Sequence, residues 1–162
     1  MRWINHSITT FCVTTVVTAN PVLGMAAAAG SAVPDKIETV LPFIRHRGAS
    51  HDIMYWAPVL IVLLAWAFLP FNLSPSFLPA GIPKLLAVGI TVGVLMHLFT
   101  DGLSKSGVPV FRKHRFAANL YKTFTLSEYV AVLAICAPCL TVGWILGRFS
   151  PDISNMTKYL AL

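Results

Sequence analysis

Long apolar runs separated by short polar segments dominate the chain. Three of these runs, residues 53–70, 82–100 and 129–149, are long enough to cross the hydrocarbon core of a bilayer at about 1.5 Å of helix per residue. The connector at 71–81 carries no charge and is rich in proline and serine, which is typical of a turn region. The pattern therefore predicts an all-α, polytopic integral membrane protein with three transmembrane helices.

The first 33 residues contain two shorter apolar runs. Asn20 and Pro21 interrupt them, and proline favours the first turn of a helix while disfavouring a helical residue before it. We predict two helices, 5–19 and 21–33, that form an N-terminal re-entrant hairpin with His6 and Asp35 together at its open end. The alternative is a secretory signal peptide, because a basic start precedes an apolar run and small residues. The break at Asn20 and Pro21 favours the hairpin.

Composition and charge refine this picture. Of the 162 residues, 56% are hydrophobic and 11% are charged, unlike a soluble domain, and the chain is read as one membrane domain over 1–162. Nine of the twelve lysines and arginines fall in the N-terminus, the site loop 34–52 and the basic loop 101–128. The positive-inside rule makes that side cytoplasmic. We predict a multi-pass protein of the bacterial inner (plasma) membrane with a cytoplasmic N-terminus.

Membrane lipids are the predicted partners. Residues 105–122 mix basic and aromatic side chains, and such a segment is expected to contact anionic lipid. Nucleic acid is not expected as a partner.

Histidine and acidic residues lie at the ends of the apolar runs on the predicted cytoplasmic side, where ionisable groups indicate function because they are costly near hydrocarbon. Gly89, Gly93, His97 and Asp101 recur every four residues and share one helical face. The glycines allow close packing of a neighbour such as the alanine-rich half of the hairpin. His97 and Asp101 then face one metal ion. The alternative is an interfacial histidine followed by a loop-capping aspartate.

Two further histidines, His46 and His51, flank a glycine-containing turn. Gly48 permits backbone conformations closed to other residues, and Ser50 is expected to cap a helix that begins near His51. The turn aims both imidazoles at one point and leaves Arg47 to hold an anionic oxygen. The alternative is a basic loop that contacts lipid headgroups.

An N-terminal histidine, Pro-Asp at 34–35, H-R-G-A-S-H at 46–51 and H-L-F-T-D at 97–101 followed by S-G-V at 106–108 occur in this order. This combination resembles the YdjM-like family of predicted membrane-bound, metal-dependent hydrolases. The resemblance implies metal ligands at His6, Asp35, His46, His51, His97 and Asp101, and a later acidic residue corresponds to Glu128. The family often has a further Asp two residues after Pro-Asp, whereas here Glu38 is displaced by one position.

These features predict a metal-dependent hydrolase whose site lies at the cytoplasmic face and holds Zn²⁺ or a similar divalent ion to activate water. Glu128 or Glu38 acts as the base and Arg47 steadies the oxyanion in this hypothesis. A lipid-derived phosphoester is the expected substrate because the site faces the headgroup layer. The competing hypothesis is a non-catalytic membrane scaffold or accessory component of a larger complex, in which the polar cluster is structural.

Overall fold

The computed structural model describes residues 1–41, 43, 48–69, 81–110 and 114–149. This part of the chain contains six α-helices and one short β-hairpin, with the bounds α1 Trp3–Thr18, α2 Pro21–Ser31, α3 Val33–Val40, α4 Ile53–Phe68, α5 Gly81–Leu103, β1 Val108–Val110, β2 His114–Phe116 and α6 Leu126–Ile145. The protein is thus mainly helical, as predicted. The β-hairpin was not predicted.

The first two helices pack against each other across a tight turn. Ala19 adopts the left-handed conformation, with φ of 54°. The Asn20 side chain accepts a hydrogen bond from the Leu23 amide at 2.9 Å, which caps α2, and Pro21 occupies its first turn. The predicted helix break at Asn20 and Pro21 is confirmed.

The predicted helix over 21–33 is wrong at its C-terminal end. Helix α2 ends at Ser31, and the separate helix α3 begins at Val33. Pro34 gives the physical reason, because it has no N–H for the carbonyl four residues earlier and its ring clashes with that carbonyl. The resulting bend turns the chain into α3, which carries Asp35 and Glu38.

Helix α2 packs closely on α5 through small residues. An ideal Cβ added to Gly89 would lie 2.4 Å from the Ala26 Cβ, and one added to Gly93 would lie 2.2 Å from the Ala27 carbonyl oxygen. Real side chains cannot approach so closely, so the two backbones touch only because both positions are glycine. The predicted packing of this glycine face on the alanine-rich helix is confirmed, and it brings His97 beside the end of α2.

Two of the described helices, α5 and α6, are long and apolar enough to cross a membrane. Helix α4 is apolar but has 16 residues, which span about 24 Å against a hydrocarbon core of about 30 Å. Large apolar side chains on α4 and α6 face outward, and Ile61 and Trp144 are 65% and 81% exposed. Such surfaces suit contact with lipid.

The segment after α5 folds back on the end of that helix. Strands β1 and β2 pair antiparallel, with Val108 opposite Phe116. Farther along, the buried Tyr121 donates its hydroxyl proton to the Thr100 carbonyl at 2.6 Å. The loop predicted as a basic surface segment therefore includes residues that fix the C-terminal turn of α5.

Candidate metal centre

Side chains from four separate segments converge in one buried cluster. Its members are His6 of α1, Asp35 of α3, His51 of the 3₁₀ turn Ala49–His51, and His97 and Asp101 of α5. The Nε2 atoms of His51 and His97 are 3.0 Å apart. His6 Nε2 lies 3.2 Å from Asp101 Oδ1, and His51 Nε2 lies 3.3 Å from Asp35 Oδ1. We call these five residues the His/Asp cluster.

Each imidazole in the cluster is held through its Nδ1 atom. His97 Nδ1 bonds to the Ser31 carbonyl at 2.6 Å, at the end of α2 where helical carbonyls lack intrahelical partners. His51 Nδ1 lies 2.9 Å from the Glu38 carboxylate. A carbonyl and a carboxylate only accept hydrogen bonds, so Nδ1 carries the proton in both rings.

The third imidazole follows the same rule. His6 Nδ1 lies 2.7 Å from the Thr100 hydroxyl oxygen, and that hydroxyl donates its own proton to a main-chain carbonyl, that of Met96 at 2.8 Å or His97 at 3.1 Å. Thr100 must therefore accept from His6, which leaves Nε2 of His6 with a lone pair. All three Nε2 lone pairs thus point into the cluster.

Such an arrangement requires a positive charge at its centre. The lone pairs of His51 and His97 repel each other at 3.0 Å unless a cation lies between them. A single proton compensates one pair of nitrogen atoms, whereas a metal ion accepts donor atoms from several directions at once. Three imidazoles and two carboxylates are a donor set that Zn²⁺ and related divalent ions bind. The residues therefore fit a divalent metal ion.

The cluster is closed except at Asp35. The side chains of His6, His51 and His97 are 0% exposed and that of Asp101 is 2% exposed, whereas the Asp35 side chain is 27% exposed. Burial acts to raise the pKa of Asp35, but positive charge at the centre of the cluster, which a protonated His51 supplies when no ion is bound, lowers it more, so the net pKa lies below the usual range. Asp35 is therefore an ionised carboxylate at the open edge of the cluster.

Glu38 lies behind His51 rather than in front of it. Its carboxylate accepts hydrogen bonds from His51 Nδ1 and from the Ser50 hydroxyl. A carboxylate in this position sets the tautomer and orientation of a ligating histidine. The structure thus gives Glu38, which lies one helical turn after Asp35, a positioning contact with His51. Its role as a base stays a prediction.

The expected capping role of Ser50 is wrong. The residue that caps α4 is Asp52, whose carboxylate accepts from the Met54 amide at 3.0 Å. The carbonyl of Ser50 accepts from the Trp56 indole at 2.6 Å. These bonds fix the short turn that presents His51.

Glu128 is fully buried but serves a different part of the molecule. Its carboxylate accepts from the Arg2 amide and the Asn5 side chain at 2.6 Å each and from the Phe124 amide at 2.7 Å. These bonds tie the start of α1 and the loop before α6 to one another. With three donors already bound, this carboxylate is unsuited to the predicted role of general base.

The chain matches the family of YdjM inner membrane proteins over residues 1–152. The protein belongs to this family. Comparison with curated proteins and with solved structures gives no match. The predicted resemblance is confirmed. An inner-membrane family agrees with the two described helices that are long and apolar enough to cross a bilayer.

Two residues of the H-R-G-A-S-H motif, His46 and Arg47, lie outside the residues that the structure describes. The sequence reasoning missed the groups that orient the imidazoles in this family member, namely Thr100 and the Ser31 carbonyl. The i, i+3 spacing of Asp35 and Glu38 was a usable signal for a shared helix face. No local signal pointed to Thr100, because its partner His6 is 94 positions away.

Replacing Glu128 by glutamine is expected to destabilise the protein while leaving its metal content unchanged. The amide has one acceptor oxygen and brings its own N–H donors, so at least one buried amide loses its partner, at a cost of about 2–3 kcal/mol. Thermal unfolding in detergent together with elemental analysis would measure both effects. An unchanged unfolding temperature combined with lost hydrolytic activity would instead favour the catalytic role.

Proposed function

We propose that this YdjM family member is a membrane-bound, metal-dependent hydrolase that acts on a lipid-derived phosphoester. The supporting observation is the convergence of three imidazole lone pairs and two carboxylates at the end of a helix able to cross a membrane. Burial of so many ionisable groups in so apolar a chain costs free energy unless they are paired or bind a metal, and groups retained at that cost indicate a function.

In this proposal His6, His51, His97 and Asp101 hold a divalent ion, Zn²⁺ or a similar metal. When bound, such an ion supplies Lewis acidity toward a phosphoester and acidifies water. Asp35 has the partly exposed side chain of the cluster, so it is suited to accept the proton of the attacking water at a carboxylate oxygen. His46 as a further ligand and Arg47 as the group that steadies a developing oxyanion remain part of the proposal.

The alternative is a non-catalytic scaffold or accessory component in which the polar cluster joins helices. The complete burial of the three imidazoles favours it, as does the hydrogen bond that the Met1 amino group donates to Asp101 at 2.5 Å. The exposure of Asp35 favours the hydrolase, because a substrate needs an open edge.

Elemental analysis of the purified protein, followed by chelation and metal return, separates the two. For the hydrolase we expect a divalent metal in near-stoichiometric amount, phosphoester hydrolysis that chelation abolishes, and recovery when Zn²⁺ or another divalent ion is restored. A protein that binds no metal and retains its unfolding temperature in chelator would contradict the hydrolase and favour the scaffold.

We further propose that the polypeptide forms one membrane domain with a re-entrant hairpin of α1 and α2, three crossings by α4, α5 and α6, and a cytoplasmic N-terminus. The nine-to-three division of lysine and arginine supports this orientation. A phosphatase reporter fused after Leu162 should be active and a cytoplasmic fluorescent reporter inactive. The reverse result would contradict the topology and with it a cytoplasmic site.

A further inference from the structure

A groove of about 320 Å³ runs along one side of α3 and the end of α2. Its lining contains one charged residue, Lys36, and six apolar residues. The apolar residues are Ala29, Ala32, Val33, Ile37, Val40 and Leu41. The volume equals about ten times the roughly 30 Å³ of one water molecule. The groove therefore has room for a run of methylene groups.

The groove borders the His/Asp cluster along the chain. Ala32 follows Ser31, whose carbonyl holds His97, and Lys36 follows Asp35, the member of the cluster with a partly exposed side chain. Residues adjacent on a helix differ in direction by about 100°. A molecule in the groove with its end at Lys36 thus lies one residue along α3 from the carboxylate at the open edge of the cluster.

The chemistry of the groove identifies its ligand. Lys36 is exposed, and its ammonium lies 5.8 Å from the centre of the Trp3 ring, which is itself 56% exposed. An aromatic ring beside a lysine is typical of the headgroup level of a bilayer, and a lysine ammonium binds phosphate as a point charge. The apolar wall next to it gains free energy for each methylene group that it covers.

We propose that this groove binds an acyl chain of a phosphomonoester lipid of the phosphatidic acid class, with Lys36 in contact with the phosphate. The lipid is then the substrate of the His/Asp cluster, and this assignment rests on the proposed hydrolase function. A soluble phosphoester would leave the apolar lining uncovered, so the groove favours a lipid over a headgroup alone.

Photocrosslinking tests the groove independently of metal chemistry. The protein is placed in phosphatidylcholine nanodiscs with a minor fraction of phosphatidic acid that carries a diazirine on its acyl chain. We expect crosslinks concentrated on residues 29–41, both in the unaltered protein and in His97→Ala. Lys36→Gln should lower them about fivefold, and Ala32→Trp should fill the groove and abolish them.

Matched substitutions outside the groove serve as controls. Val62→Trp changes a residue on α4 that is 66% exposed, and Lys84→Gln changes a lysine whose ammonium bonds to the Leu69 carbonyl. Both should leave the crosslinks on 29–41 unchanged. Equal labelling of α3, α4 and α6, or labelling insensitive to Lys36→Gln, would overturn the groove as a specific lipid site. Because Lys36 is exposed, its substitution by glutamine tests the proposal even if Ala32→Trp fails to fold.

Kinetics link the groove to the substrate. In the unaltered protein, kcat/KM should be higher for long-chain than for short-chain phosphatidic acid, and Ala32→Trp should remove this preference. If the protein hydrolyses phosphatidic acid but shows neither a chain-length preference nor crosslinks in the groove, the groove is not the lipid site. The hydrolase proposal would be unaffected by that result. Groove labelling in a protein that neither binds metal nor hydrolyses phosphoesters would refute the hydrolase, and the lipid would then be a bound ligand only.

Discussion

Replacing His97 by alanine is expected to remove the bound metal ion. Its Nε2 atom lies 3.0 Å from His51 Nε2 and within 4.0 Å of both Asp35 and Asp101, so it faces three other donors of the cluster. Loss of a direct ligand should lower metal affinity by about 100-fold or more. Elemental analysis of the purified variant gives the metal-to-protein ratio.

Two matched variants make this result specific. His114→Ala removes an exposed histidine of β2 that is not a member of the buried His/Asp cluster. This variant should retain the full metal content. Glu38→Gln removes the carboxylate behind His51 and should lower metal affinity by about 10–100-fold, less than loss of the ligand itself. An unchanged metal-to-protein ratio in His97→Ala would eliminate His97 as a ligand and contradict the proposed site.

A single added methyl group at Gly93 should be among the most disruptive changes in the protein. Its Cβ would lie 2.2 Å from the Ala27 carbonyl and 2.5 Å from the Ser31 amide, both of them backbone atoms that cannot rotate away. Helices α2 and α5 would have to separate, which costs about 1–3 kcal/mol or more, and the bond from His97 to the Ser31 carbonyl would lengthen. We expect a lower unfolding temperature and reduced metal content in Gly93→Ala.

The control for this change is a larger substitution on the outward side of the same helix. Leu86 is 45% exposed, and Leu86→Ala removes three carbon atoms from a surface that lipid or detergent can cover. It should have a small effect on unfolding and none on metal content. Similar unfolding temperatures for Gly93→Ala and Leu86→Ala would show that the close packing of α2 on α5 is unimportant for stability.

Several features of the site were predictable because they depend on neighbouring residues. The break between α1 and α2 follows from Asn20 and Pro21, whose effects on the backbone are local. The shared face of Gly93, His97 and Asp101 follows from helical periodicity alone. Charge placement and the grouping of histidines and acids likewise follow from the order of residues along the chain.

Other features depend on partners that are distant in sequence. Glu128 interacts with Arg2 and Asn5, which are more than 120 positions away in the sequence. The sequence therefore could not show that its carboxylate binds main-chain and side-chain donors, and a general base was an equally consistent interpretation. The contact of Glu38 could not be predicted for a similar reason, since only the folded chain shows that it lies behind His51. The strength of each such contact is set by three-dimensional geometry and not by spacing in the sequence.

By itself, the sequence determined a mainly helical membrane protein, the composition of its polar cluster and the glycine face on which α2 packs. Periodicity, proline and the cost of burying charge act over a few residues, so they can be read from the order of residues. The tertiary structure decided how the imidazoles of the cluster are hydrogen-bonded. Ser31, Glu38 and Thr100 each accept a hydrogen bond from one Nδ1 atom, so the three Nε2 lone pairs point inward. That assignment requires donors and acceptors from separate helices to meet, which only the packing of those helices brings about.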